Sequence, residues 1–184
     1  MGLARGLLFV GMDDVAILLG PEFEDAEYVV PVDRLRAGGN RVVIVGTDAG
    51  VMLRGRRGRA NVTVDLAARD ADPLRFGLLL IPGGHSPDNL RTDEGVVRFV
   101  QRFWQTKRPL AAMGHGAQLL IEADVVRGVR LTSSPSVRRD LENAGARWLE
   151  GPVVEDGALV TLRRSHELEA LCDLVFGRFA ARAA

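Results

Sequence analysis

The sequence predicts an α/β fold, with a mostly parallel sheet and helices on both of its faces. Three observations carry this. Short continuous apolar runs recur along the 184 residues, which is how strands buried on both faces read. Longer amphipathic stretches alternate with those runs. Glycine and proline close most of the runs, as turns require.

The elements follow in order. Val15-Ala16-Ile17-Leu18-Leu19 is a buried strand closed by Gly20-Pro21. Asp25 to Ala37 carries Val29, Val32 and Leu35 at helical spacing and stops at Gly38-Gly39. Arg41 to Gly46 is the second strand, and Val62 to Asp65 a short third one. Leu78 to Ile81 is again a buried run, ended by Pro82-Gly83-Gly84. Glu94 to Thr106 is helical, with Val97, Val100, Phe103 and Trp104 expected on the packed face. Leu110 to Met113 is a strand and Gly116 to Ala123 a helix. A helix near Val137 to Ala144, strands at Val153-Val154 and Leu159 to Thr161, and a helix from about Glu167 to Arg182 complete the chain.

Neither repeats nor low-complexity linkers interrupt this pattern, so residues 14–184 read as one domain and 1–13 as an N-terminal tail. The tail's apolar run meets Asp13 and Asp14 without a small-x-small cleavage site, which argues against a signal peptide. No apolar run is long enough to span a bilayer. Basic and acidic residues balance at 24 each, which excludes a nucleic-acid or membrane-surface binder over the whole face. Of the basic residues only Lys107 is lysine. The single cysteine, Cys172, cannot form an internal disulfide and fits a reducing, cytoplasmic setting.

Ligand sites in parallel α/β sheets lie at the carboxyl ends of the strands. The segments to search are therefore Pro21–Glu27, Pro82–Pro87 and Gly114–Gln118. The last follows the strand Leu110–Met113 through a very tight turn into a helix, the arrangement of a nucleophile elbow, where the turn residue projects from the top of the sheet beside free helix N–H groups. The turn residue is Gly114, which has no side chain.

Several segments together resemble the DJ-1/PfpI superfamily, in its branch of PfpI-type intracellular proteases. They are Phe23 to Glu27, Pro31 with Arg34 to Gly38, Ile81 to Gly84, Gly114 to Gly116 with Gln118 to Ala123, Arg127-Gly128 with Leu131 to Ser133, Asn143 to Ala146, and Val153 to Gly157. The resemblance runs from about Val15 to Phe176. It implies a flavodoxin-like three-layer sandwich, shared with class I glutamine amidotransferases. It also implies a homodimer or higher homo-oligomer, with the site near a subunit interface and no cofactor or metal. The family's nucleophilic cysteine falls on Gly114 and its histidine on His115. Its carboxylate falls on Glu27, with Glu24 one turn earlier. The implied pocket comprises Gly83, Gly84, His85, Gly116 and Ser134, with backbone N–H groups near Gly83-Gly84 and at His115 stabilising an oxyanion.

Departures from the family pattern cluster at this site. Besides Gly114, alanine stands at Ala117 where proline is usual, and Ser134 where an aromatic is usual. The late Thr-Ser-Arg-x-Pro pattern reads Thr161 to Ser165. Glycine is easily accommodated at an elbow, because a positive φ strains cysteine and hardly strains glycine.

Other candidates compete with simpler readings. Cys172 reads as a packing residue of the last helix. Ser133, Ser134 and Ser136 would need a base to act as nucleophiles, and His115 is the available one. Without a thiol partner, His115 reads as keeping a structural hydrogen bond. His85, His115 and Glu27 would bind a metal only if they converged, and no ligand spacing enforces that. His166 reads as sitting near the start of the last helix. Glu24 and Glu27 would, without the resemblance, be solvated first-turn acids. Arg54-Gly-Arg-Arg-Gly-Arg59 has four arginines in six residues but no interleaved aromatic, and reads first as an exposed turn.

The leading expectation is a homologue without the catalytic cysteine, non-catalytic in that chemistry, that binds a small molecule or serves a stress-related role. The alternatives are a family hydrolase, such as a protease, amidase, deglycase or glyoxalase-like enzyme, working without the elbow cysteine or represented by an inactive variant, and nucleic-acid binding through Arg54–Arg59.

Overall fold

The central sheet is built from strands whose residues are mostly buried, the edge strand β10 excepted. β1 (Asp14–Leu18), β2 (Val42–Gly46), β6 (Phe76–Ile81), β7 (Leu110–Met113), β10 (Val153–Asp156), β11 (Leu159–Leu162) and the two-residue β5 (Leu66–Ala67) form it, in the order β10-β11-β7-β6-β1-β2-β5. All pairings are parallel except the β10–β11 hairpin. The computed structural model describes residues 14–183, so the expected tail at 1–13 lies outside the described residues.

Strand periodicity divides the core into two layers. Leu18, Leu79, Ile81 and Ala112 face one side, with the helices α3 (Glu94–Gln105), α4 (Ala117–Glu122) and α5 (Arg138–Asn143). Ile17, Leu78, Leu80 and Met113 face the other, with α1 (Asp25–Ala37) and α6 (Leu168–Ala183). A short helix, α2 (Ser86–Leu90), sits over the sheet's carboxyl end, where the Ser86 hydroxyl accepts a 2.8 Å hydrogen bond from Gly20 N–H.

α1 keeps acids in its first turn and Arg34 and Arg36 in its last, as the helix dipole favours. Arg34 ties it to α6 through Glu169 (2.7 Å) and Asp173 (2.6 Å). In α3, Asp93 caps the helix by accepting from Val96 N–H at 2.8 Å.

Two expectations need correction. Val62 is not in the main sheet. It belongs to β4 (Asn61–Thr63), which pairs antiparallel with β3 (Met52–Arg54) as a separate ribbon, and β5 joins the sheet instead. A further small parallel pair is β8 (Arg130–Leu131) with β9 (Arg147–Trp148). The packed face of α3 is Val96, Phe99, Val100 and Phe103, while Val97 and Trp104 are half-buried. The stripe is set one residue earlier because it must meet Phe76 and Leu110 of the sheet.

Candidate active site and its neighbours

Five chain segments converge at the carboxyl ends of the parallel strands. β1 leads to Phe23–Glu27, β6 to Gly83–His85, β7 to Gly114–Gly116, β8 to Ser133–Ser136 and β11 to Ser165. The elbow is built as expected. Met113 ends a buried strand, Gly114 adopts φ +53°, and one tight turn leads into α4. Gly116 is fixed by contact, since a Cβ there would lie 2.3 Å from the Ile81 carbonyl oxygen. The loop after β8 is tied to the elbow by Ser134 N–H donating to Gly114 O at 3.2 Å.

Space beside Gly114 is bounded by two side chains. A Cβ built there would lie 3.2 Å from Ser134 Oγ and 3.5 Å from Glu27 Oε1. Glu27 is 4% exposed, so it is not a solvated first-turn acid. Its Oε2 accepts from Gly83 N–H at 2.7 Å and its Oε1 from the Ser165 hydroxyl at 2.8 Å. Burial raises its pKa above the usual glutamate range, only partly offset by these two donors, and Glu24 pushes it further up. Because Glu27 takes the Gly83 N–H, that donor is not free for an oxyanion.

Glu24 is also buried, and it faces away from the elbow toward the arginine turn. Arg57 Nε lies 2.9 Å and Arg56 Nη1 3.8 Å from its carboxylate. The neighbouring Asp25 organises that turn, accepting the backbone N–H groups of Arg57 (2.8 Å), Arg59 (2.8 Å) and Ala60 (2.9 Å). Burial pushes the Asp25 pKa up, but the backbone donors together outweigh it and hold it below the usual aspartate value. Arg54–Arg59 is thus the turn between β3 and β4, with two of its cations directed at Glu24.

His115 is half-buried between two hydroxyls: Nδ1 lies 3.2 Å from Ser134 Oγ and Nε2 3.0 Å from Ser136 Oγ. Burial, then the positive charge of Arg56 and of His85, lowers its pKa. His85 is exposed and pairs with Glu22 at 2.9 Å, while Gly84 bridges to Phe23. His115, Glu27, Gly83, Gly116 and Ser134 therefore surround Gly114, whereas Glu24 and His85 lie on its margin. Among the described residues, no three His, Cys, Asp or Glu side chains are grouped to hold a metal ion. Cys172 is fully buried in α6, in the apolar layer shared with α1, and burial pushes its thiol up to about 11. His166 lies in a one-turn helix before α6.

Two contributors escaped the sequence reading. Ser165 stood there only as a departure from pattern, and Asp25 only as a helix start. No local signal could reveal Ser165, since its partner lies 138 positions away.

The family model described as DJ-1/PfpI matches residues 13–176. The chain belongs to the DJ-1/PfpI family. It is 42% identical over 157 residues to protein/nucleic acid deglycase 2 of Escherichia coli, covering 85% of this chain and 91% of that one. It is 39% identical over 157 residues to general stress protein 18 of Bacillus subtilis, covering 85% and 91%. Among solved structures, a two-domain protein of Anabaena variabilis with DJ-1/ThiJ/PfpI-like and ferritin-like domains superposes with a TM-score of 0.89 at 34% identity. That match covers 91% of this chain and 48% of the other. DJ-1beta of Drosophila melanogaster shares the fold alone, with a TM-score of 0.78 at 23% identity over 94% of this chain and 93% of that one. The α/β three-layer fold of this family member is accordingly flavodoxin-like. Among the described residues, no helix is long and apolar enough to cross a membrane.

Proposed function

We propose that this family member has set aside thiol chemistry and keeps its elbow pocket for binding a small, uncharged molecule. The observation that carries this is Gly114 itself. The elbow backbone keeps φ +53°, yet the position where the family bears its nucleophile has no side chain. The carboxylate assigned to that nucleophile, Glu27, is instead satisfied by Ser165 and Gly83. The chain's single thiol, Cys172, is buried and held protonated at neutral pH. An uncharged ligand is favoured because the space beside Gly114 is bordered by the buried carboxyl of Glu27, and bringing a further charge of either sign out of water there is costly.

The relatives named deglycase and general stress protein support a stress-related setting for such a binder. Homo-oligomerisation and a cytoplasmic location belong to the same reading, on the family resemblance and on cysteine usage. The arginine turn is read as structural rather than as a nucleic-acid surface, since Glu24 and Asp25 engage it.

Ligand-observed NMR against a set of small neutral carbonyl compounds tests the binding. Hits are expected for the native protein and should vanish in Gly114→Leu, whose side chain fills the space beside Ser134 and Glu27. Hits that persist unchanged in that folded variant would place binding elsewhere.

A further inference from the structure

Three serines follow β8, and their surroundings differ. Ser133 is buried and fully engaged, since its hydroxyl accepts from Trp148 Nε1 at 3.0 Å and donates to the Ser134 carbonyl at 2.9 Å. Ser136 is exposed and meets His115 Nε2. Ser134 is half-buried, meets His115 Nδ1 and borders the space that Gly114 leaves open. A neutral imidazole has one donor and one acceptor nitrogen. With the Nε2 proton donated to Ser136, the Nδ1 lone pair receives the Ser134 hydroxyl. Nucleophile, base and a group orienting the base then form one chain of hydrogen bonds, within the distances such arrangements show.

We propose that Ser134, with His115 as its base, is a nucleophile toward small neutral carboxylic esters entering the space beside Gly114. The Ser134 oxygen bonds to the ester carbonyl carbon as its proton passes to His115 Nδ1. The carbon–oxygen bond to the leaving alkoxide then breaks, and His115 returns the proton so that an alcohol departs. Water, deprotonated in turn by His115, releases the acyl group as a carboxylic acid and restores the serine. The lowered pKa of His115 keeps the base unprotonated at neutral pH. The glycine matters because even a Cβ at position 114 would press on Ser134 Oγ, at 3.2 Å. The inference shares the pocket of the proposed function but not its fate. A protein that binds carbonyl compounds at Gly114 without acylation keeps that reading and loses this one.

A small fluorophosphonate reports the same nucleophile, because the serine oxygen bonds to phosphorus and fluoride leaves. Native protein treated with it should gain the mass of one adduct, mapped by tandem mass spectrometry to Ser134. Ser134→Ala should abolish that adduct. His115→Gln should slow its formation about a hundredfold, in line with removal of a general base. The native labelling rate should rise with pH to a plateau, with its midpoint below the ordinary histidine pKa. Ser134→Cys supplies a second check, since its thiol should be alkylated by iodoacetamide while the buried Cys172 is not. No adduct on folded native protein, or an adduct on another residue that survives Ser134→Ala, would overturn the proposal.

Discussion

At the scale of single residues, Gly114 and Glu27 set the character of the site. A cysteine at Gly114 would inherit φ +53°, a conformation costing a non-glycine residue about 1–3 kcal/mol. Its Cβ would also press on Ser134 Oγ at 3.2 Å, which a rotation of that hydroxyl can relieve. Gly114→Cys is therefore expected to fold with a lower melting temperature and to expose one thiol that titrates in the native state. Native protein should show none, because Cys172 is buried. A Gly114→Cys thiol as inert as Cys172 would mean that the elbow no longer supports a reactive side chain. Glu27 makes a separate prediction. Its folded pKa is raised, so the folded state holds that proton to higher pH than the unfolded chain does. Its contribution is thus undiminished below the unfolded pKa and is lost as pH rises through the folded one. Glu27→Gln cannot ionise, so denaturant titrations should show it gaining on the native protein as pH is raised from 4 to 8. A difference independent of pH would show that Glu27 does not titrate as its burial requires.

At the scale of elements, the contacts between loops matter more than the elements themselves. Asp25 holds the turn 54–60 over the start of α1 by three backbone hydrogen bonds, and Gly55 is required there because a Cβ would meet the Asp25 carboxylate at 2.3 Å. Asp25→Ala leaves those donors without their acceptor, at about 1–3 kcal/mol for each one that water cannot reach. Amide exchange at Arg57, Arg59 and Ala60 should accelerate in that variant, while β7 amides stay protected. Uniform acceleration across the sheet would instead mean that Asp25 supports the whole fold. The sequence was readable where periodicity and burial coincide: α1 and β7 appear at the expected bounds. Val62-Thr-Val64 misled because an alternating run looks the same in an isolated ribbon as in the central sheet. Strands as short as β5, β8 and β9 have too few residues to show a period at all. Of the site, the motif segments placed Gly83, Gly114, His115 and Glu27 together. The hydroxyls that face them were harder to assign, because Ser165 reaches Glu27 only through the tertiary fold.

At the scale of the whole molecule, two apolar layers sandwich one sheet, and every segment of the site except Ser133–Ser136, which follows the separate strand β8, hangs from that sheet's carboxyl end. The scaffold beneath the site is held by Leu18, Leu79, Ile81 and their partners, so it does not depend on which residue stands at the elbow. The proposed self-association predicts a solution mass by light scattering of at least twice 19.9 kDa. A monomer at micromolar concentration would remove the oligomer from the proposal without touching the pocket. The proposed loss of thiol chemistry is tested most directly by lactate release from methylglyoxal, a product that adducts on surface arginines do not yield. Native protein is expected to release lactate no faster than buffer. Sustained release by native protein, beyond one equivalent per chain, would contradict the claim that Gly114 has ended this chemistry.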